Sequence, residues 1–245
     1  MKVTHILMAA ALFFALGASP ALADDITADV LTYDGKTKIA TAAGNVVIHA
    51  GEGAVITGQS GEYHFDDRTA HLSGSVSYQK DRVTMTCGEM FLYTDKTARG
   101  IGNVVMHDAA QGRVLKGDDV TYNSDTGYGV ISGNGYLESP DGNVSAAHIE
   151  GNLNEVRIVA DGGVYFQSDG HDMTGYGDRA VYTRTGRDGH DGTLVLTGNA
   201  HATQNGNSFD GPELVMHEAD QMVETNGRST LTITNTRGSA GDRAQ

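Results

Sequence analysis

The stretch Gly117-Asp118-Asp119-Val120-Thr121-Tyr122, followed after a turn by Gly133-Asn134, contains a pattern that recurs along the whole chain. Aligned on the Tyr122 position, seven copies of the first half end 29 to 34 residues apart, at Tyr33, Tyr63, Tyr93, Tyr122, Gly151, Tyr182 and Met216. A glycine follows each copy, usually eleven residues later, at Gly44, Gly74, Gly102, Gly133, Gly162, Gly198 and Gly227. Seven units of about 30 residues indicate a repeat protein and leave no room for a separate catalytic domain.

Apolar and polar residues alternate in both halves of the unit. The positions two residues before the Tyr position are mostly apolar, and they include Leu31, Phe91, Val120, Ile149 and Leu214. The second and fourth positions after the glycine are also mostly apolar, and they include Val46, Ile48, Val104, Met106, Leu137 and Phe166. A period of two predicts strands with one buried face, so Tyr122 and its neighbour Thr121 should face opposite sides of the sheet.

Turn residues separate these strands both within and between the units. Asp34-Gly35 lies within a unit, whereas Asp169-Gly170 and Asn205-Gly206 lie between units. Two strands per unit predict an all-β chain of about 14 strands in an antiparallel meander. A Gly or Ala five residues before the Tyr position, usually followed by Asp, Glu or Gln, predicts a corner where each strand bends.

The two ends of the chain differ from the repeats. Residues 1–23 combine Lys2, an apolar run from Ile6 to Leu16 and the small residues Ala21-Leu22-Ala23, which together predict a signal peptide. We therefore expect an exported protein. At this length one long sandwich or curled sheet is as favourable as two domains, and we assign residues 24–234 to one domain. The small polar residues 235–245 predict a disordered tail.

The composition limits the partners and the chemistry. A net charge of −14 argues against nucleic acid and against an anionic membrane surface, and favours a partner held by apolar contact. The lone Cys87 is in phase with Met85 and Phe91, which predicts a buried apolar role.

Reactive groups give only weak signals. Asp188, His190 and Asp191, in the insertion from Arg184 to Gly192, could bind a cation, but a solvated turn is the simpler interpretation, as it is for Asp169-Gly170-His171-Asp172. Acidic residues that recur at one repeat position indicate a structural device rather than a catalytic pair. We therefore predict no enzyme activity, no metal site and no cofactor.

The Tyr-bearing strand, the eleven-residue step and the following Gly-Asn-Val resemble the OstA-like family, also called the LptA family. The segments closest to the family are Ala42-Ala43-Gly44-Asn45-Val46-Val47-Ile48 and Gly133-Asn134-Gly135-Tyr136-Leu137. The resemblance covers residues 26–234, and its specificity comes from the recurrence of these motifs in phase behind a signal peptide.

The resemblance implies a fold, a ligand and partners. It implies a twisted, partly open antiparallel β-jelly roll whose apolar interior carries the acyl chains of lipopolysaccharide in the periplasm. It also implies head-to-tail homo-oligomers that bridge an inner-membrane LptC-like protein and an outer-membrane LptD-like translocon. The family's lipid-lining Tyr matches Tyr63 and Tyr122, and internal repetition extends the match to Tyr33 and Tyr182, with Tyr93 at the same repeat position after a nine-residue step.

Together with the inward positions, these tyrosines make up the expected lipid-binding set, which is Tyr33, Val46, Ile48, Tyr63, Phe91, Tyr93, Val104, Met106, Val120, Tyr122, Leu137, Phe166 and Tyr182. The alternative is a repetitive structural or adhesin-like envelope protein in which the apolar face is only core. An open apolar groove would distinguish the lipid carrier from that alternative.

Overall fold

The structure, a computed structural model, describes residues 25–50, 53–140, 142–152, 157–185 and 191–234. The predicted signal peptide (1–23) and tail (235–245) lie outside the described residues, as do Asp188 and His190 of the insertion.

Sixteen β-strands account for nearly all of the described chain. They are β1 (Asp25–Thr27), β2 (Val30–Asp34), β3 (Ile39–Ala50), β4 (Ala54–His64), β5 (Thr69–Lys80), β6 (Val83–Leu92), β7 (Thr97–Asp108), β8 (Arg113–Asn123), β9 (Tyr128–Ser139), β10 (Gly142–Asn152), β11 (Arg157–Ser168), β12 (Met173–Thr185), β13 (Asp191–Gln204), β14 (Asn207–His217), β15 (Met222–Asn226) and β16 (Thr230–Thr232). A short 3₁₀ turn at Asp169–His171 joins β11 to β12.

All sixteen strands belong to one antiparallel sheet whose order follows the chain from β3 to β14. At one edge, β1 and β2 both pair with β3, and at the other edge β15 and β16 both pair with β14. Each edge is therefore a single strand position interrupted once, so the sixteen strands occupy fourteen positions. The prediction of an all-β, open antiparallel roll with about 14 strands is confirmed.

The repeated glycine lies at a bulge near the middle of each odd-numbered strand from β3 to β13. Gly133 and Asn134, for example, have φ angles of 73° and 51°, and the pairing of β9 with β10 shifts register beside them. Glycine adopts this left-handed conformation without strain, and Asn tolerates it better than most residues. The Gly-Asn motif is thus the local signal for a kink that recurs across the sheet.

The acidic residues at the predicted corners stabilise these bulges. Asn134 Nδ2 donates to Asp118 Oδ2 at 2.9 Å, and the pairs Asn45–Asp29 (2.9 Å) and Asn199–Asp178 (3.2 Å) repeat the contact. A Cβ atom on Gly133 would lie 2.4 Å from the Asp118 carboxylate, so the carboxylate and the glycine require each other. At these three bulges the recurring acid is therefore a structural device.

The buried apolar side chains form one cluster that extends from Ala54 to Met216. The described residues contain only this sheet and one short 3₁₀ turn. The inner face can therefore be buried only if the sheet curls, so that the strand halves on the two sides of the bulges pack against each other.

Candidate functional site

One row of side chains crosses the inner face of the sheet at the Tyr position. Cross-strand pairing places in this row Tyr33, Ala40, Tyr63, Ala70, Leu92, Ala98, Tyr122, Gly129, Gly151, Ile158, Tyr182, Leu194, Met216 and Val223. We call it the inner row. The repeat found in the sequence is therefore a physical line of neighbours, about 4.8 Å apart from strand to strand.

Large and small residues alternate along the first half of the inner row. The even-numbered strands place Tyr or Leu there, whereas β3, β5, β7 and β9 place Ala or Gly. A small residue beside a large one leaves room on the inner face. This room is open beside Ala40 and Ala70, whereas Tyr122, between Ala98 and Gly129, is 3% exposed. From β11 onward the odd-numbered strands instead place Ile158 and Leu194 in the row, and this space is filled.

The consequence is an open apolar groove of about 180 Å³ in the N-terminal half of the sheet. Its apolar lining consists of Ile26, Leu31, Ala40, Ala42, Val46, Ile48, Ala50, Ile56, Gly61, Tyr63, Ala70, Leu72 and Leu92. Five polar residues also border it: Arg68 and Thr94, and, at strand positions whose side chains face outward, Thr41, Glu62 and His71. Val46 and Leu72 are 1% exposed and form its floor, whereas Tyr33, in the edge strand β2, is 60% exposed.

From β7 onward the inner face is packed. Tyr122 and Tyr182 are both 3% exposed, and Phe166 is 1% exposed. A much smaller cavity of about 20 Å³ remains beside Phe166 and Tyr182. The same repeat position thus lines a groove near β3 and β5 but lies in a closed core near β12.

The predicted lipid-binding set divides accordingly. Val46, Ile48 and Tyr63 line the groove, and Tyr33 continues the inner row beyond it. The other inward members lie in the packed core, and they are Val104, Met106, Val120, Tyr122, Leu137, Phe166 and Tyr182.

The predicted inward orientation of Phe91 and Tyr93 is wrong. Pairing places Phe91 opposite His71 and Arg99 on the outer face, where its ring stacks on His71 with centroids 4.2 Å apart. Tyr93 lies just beyond β6, within hydrogen-bonding reach of Arg99. The bulge in β6 falls at Gly88, so the inward residues are Met90 and Leu92, one position earlier in the repeat.

The unusual nine-residue step from Tyr93 to Gly102 was the sequence signal for this shift. The same shift places Glu89 opposite Ile101 on the outer face, where it binds His71 Nε2 at 2.8 Å.

Other lining residues were not predicted. Ile56 and Leu72 alternate with polar neighbours as Val46 does, so their period of two could have identified them. Ala40 and Ala70 contribute to the groove because their small side chains leave space. Alternation in the sequence shows that they face inward but not whether that space is open or packed.

Burial determines the acid–base behaviour of the inner side chains. It raises the pKa of Tyr122, and it raises the pKa of Tyr182 to about 12 with a further contribution from the nearby Glu218 carboxylate. Tyr182 donates its hydroxyl hydrogen to Glu218 Oε2 at 3.0 Å. Burial also raises the pKa of the Cys87 thiol to about 11, which keeps it protonated at neutral pH.

Two of the three candidate cation ligands in the insertion, Asp188 and His190, lie outside the described residues. Among the described residues, no three His, Cys, Asp or Glu side chains come together in a way that could hold a metal ion. Asp169 accepts a 2.6 Å hydrogen bond from Gln167 Nε2.

Comparison with known families identifies the family of this chain. The sequence profile of the family described as LptA/(LptD N-terminal domain) LPS transport protein matches residues 55–157 and 154–222. The chain belongs to this family. Because the family consists of transport proteins, the prediction that the chain is not an enzyme is confirmed.

Two further comparisons add detail. The crystal structure of LptH from Pseudomonas aeruginosa, described as the LptA-homologous periplasmic component of the lipopolysaccharide transport device, is 18% identical in sequence. The alignment covers 52% of this chain and 98% of LptH, with a TM-score of 0.44. A search of curated protein sequences gave no match. Within the described ranges, no helix of this LptA-family chain is long and apolar enough to cross a membrane.

Proposed function

We propose that this protein carries lipopolysaccharide through the periplasm, with acyl chains of the lipid lying in the groove between β1 and β6. The observation that carries the proposal is an open groove with a mainly apolar lining in a member of a lipopolysaccharide transport family. An apolar face that serves only as core is expected to be closely packed instead.

Apolar contact is sufficient to hold such a lipid. Each methylene removed from water contributes about 0.8 kcal/mol, so burying a few methylenes of acyl chain in the groove contributes several kcal/mol without any charge attraction. The net charge of −14 requires only that the phosphates of the lipid remain hydrated outside the groove.

A pair of adjacent residues on β3 tests this proposal. Ile48 lines the groove, whereas the neighbouring Val47 faces the other side of the sheet and is not part of the lining. A photo-crosslinking amino acid at position 48 should capture lipopolysaccharide in cells that export it, and one at position 47 should not. Equal capture at both positions, or none at position 48, would contradict the proposal.

Lipid contact at the buried residues that the sequence assigned to the lining requires a further condition. Tyr122 is 3% exposed, so lipid contact at this residue requires the packed inner face from β7 onward to open. Capture from position 48 without capture from position 122 would confine the lipid to the N-terminal groove.

We further propose that the molecules associate head to tail through the two edges of the sheet. Val30, Leu31 and Tyr33 at the first edge are 55–60% exposed, and Leu231 and Ile233 at the last edge are 54% and 64% exposed. Pairing the β16 edge of one molecule with the β2 edge of the next would satisfy unpaired backbone groups and extend the groove. The same edges suit LptC-like and LptD-like partners, whose domains would continue the roll toward the two membranes.

Truncation of the last edge tests this association. Deleting residues 228–245 should give a folded monomer in light scattering at high concentration, because β16 and its apolar residues are removed. Deleting only residues 235–245 is the matched control, and it should leave the oligomers intact. Identical oligomer distributions for the two truncated proteins would rule out the edge contact.

A further inference from the structure

The outer face of the sheet has an exposed aromatic row that the groove does not explain. Cross-strand pairing places Tyr136, Ser145, Tyr165, Tyr176 and His201 side by side on the five consecutive strands from β9 to β13. Tyr165 is 42% exposed and Tyr176 is 51% exposed. The other large exposed apolar residues lie at the sheet edges, in turns or at the start of a strand, whereas these two lie within long strands that are paired on both sides.

The aromatic rings of this outer row are held in place by their neighbours. His201 stacks on Tyr176 with centroids 4.8 Å apart, and its Nδ1 lies 2.6 Å from Asp210. Lys116 Nζ lies 5.1 Å from the centroid of Tyr136, whose hydroxyl donates to Glu138. The inward neighbours of Tyr176 are both glycines, and a Cβ atom on Gly175 would lie 2.4 Å from the ring of Phe166. The strand that presents Tyr176 is therefore closely packed from behind.

A second row of polar side chains runs parallel to the aromatic row, two residues away on each strand. It contains Glu138, Asn143, Gln167, Thr174, Thr203 and Ser208. Nearly all of these are uncharged amides or hydroxyls, which both donate and accept hydrogen bonds. The surface thus offers flat aromatic faces beside a line of neutral hydrogen-bonding groups.

This combination matches the chemistry of a sugar chain. A pyranose ring presents C–H groups from one face, which pack on the electron-rich face of an aromatic ring, and hydroxyl groups around its rim. Nucleic acid bases also stack on such platforms, but they need a positively charged surface, and this protein carries a net charge of −14. A peptide added as a strand is excluded, because β9 to β13 already pair on both sides.

We propose that the row formed by Tyr165, Tyr176 and His201 binds the saccharide part of lipopolysaccharide. The inference rests on the proposed function for the choice of this saccharide, since the family transports a lipid that bears a sugar chain. The lipid and the sugar are then recognised on opposite faces of one sheet, the acyl chains inside β1–β6 and the sugars outside β9–β13.

The test uses the mature protein and saccharide released from lipopolysaccharide by removing lipid A, so that the groove makes no contribution. Titration calorimetry should detect binding to the wild-type protein. Tyr176→Ala should weaken it about tenfold, and Tyr176→Phe should retain it because the ring remains. Tyr128→Ala is the control, since Tyr128 is also an exposed tyrosine, 41% against 51% for Tyr176, but lies outside the row, where it donates to Glu150.

Two results would overturn the proposal. One is the absence of saccharide binding to the wild-type protein, and the other is an equal loss of affinity in Tyr176→Ala and Tyr128→Ala. Lipid A without its saccharide, measured on the same preparations, reports the groove separately. If lipid A does not bind, the proposed function is wrong. The saccharide titration still decides whether the outer row binds sugar.

Discussion

Replacing Ala70 with phenylalanine should lower the affinity of the protein for lipopolysaccharide about a hundredfold and leave the protein folded. Ala70 lies on β5 in the inner row, between Tyr63 and Leu92, and its methyl group borders the groove. A phenyl ring at this position fills space that we assign to acyl chain. Displacing three or four methylenes removes about 3 kcal/mol of binding free energy, which corresponds to about a hundredfold.

The strand itself should tolerate this substitution. Phenylalanine is a better strand former than alanine, and the new ring enters open space rather than a filled core. Gln79→Phe is the matched control, because Gln79 is an exposed residue of the same strand whose side chain faces away from the core. Lipopolysaccharide affinity can be measured by native mass spectrometry or by a fluorescent-lipid assay. If Ala70→Phe binds as tightly as Gln79→Phe, the acyl chains do not occupy this groove.

Phe166→Ala should lower the free energy of unfolding by about 3–5 kcal/mol, the range for truncating a buried phenylalanine. The ring of Phe166 is 1% exposed and lies over Gly175, so its removal leaves a cavity next to the small one already present. Tyr33→Ala should change the free energy of unfolding by less than about 0.5 kcal/mol, because Tyr33 is 60% exposed at the sheet edge. Both residues were assigned to the lipid lining from the sequence.

Urea unfolding followed by far-UV circular dichroism suits this comparison, because the protein has no tryptophan to report on its core. The difference between the two changes in unfolding free energy shows that one repeat position belongs to the core and the other does not. Similar losses of stability for Phe166→Ala and Tyr33→Ala would show that the two halves of the roll are packed alike, contrary to the structure.

Much of the fold could be predicted because its signals are local. The period of two identified Val46, Val104 and Val120 as inward residues, and the Gly-Asn pairs marked the kinks through their backbone conformation. The period of two gave the wrong orientation in the third unit, where it placed Phe91 on the inner face. There, cross-strand pairing with His71 and Arg99 sets the register, and a bulge at Gly88 shifts the phase by one residue.

The sequence by itself determined the repeat, the strand phase in most units, the acidic corners and the family. Each depends on short motifs and on their recurrence at a fixed spacing, so each leaves a pattern that can be read along the chain. Only the tertiary structure decided which inward residues line a groove and which are core. That depends on whether the neighbouring strand contributes Ala70 or Leu194 to the inner row, and on what packs against it from across the roll. The outer aromatic row could not be predicted from the sequence either, because its members come from five strands and become neighbours only when the sheet forms.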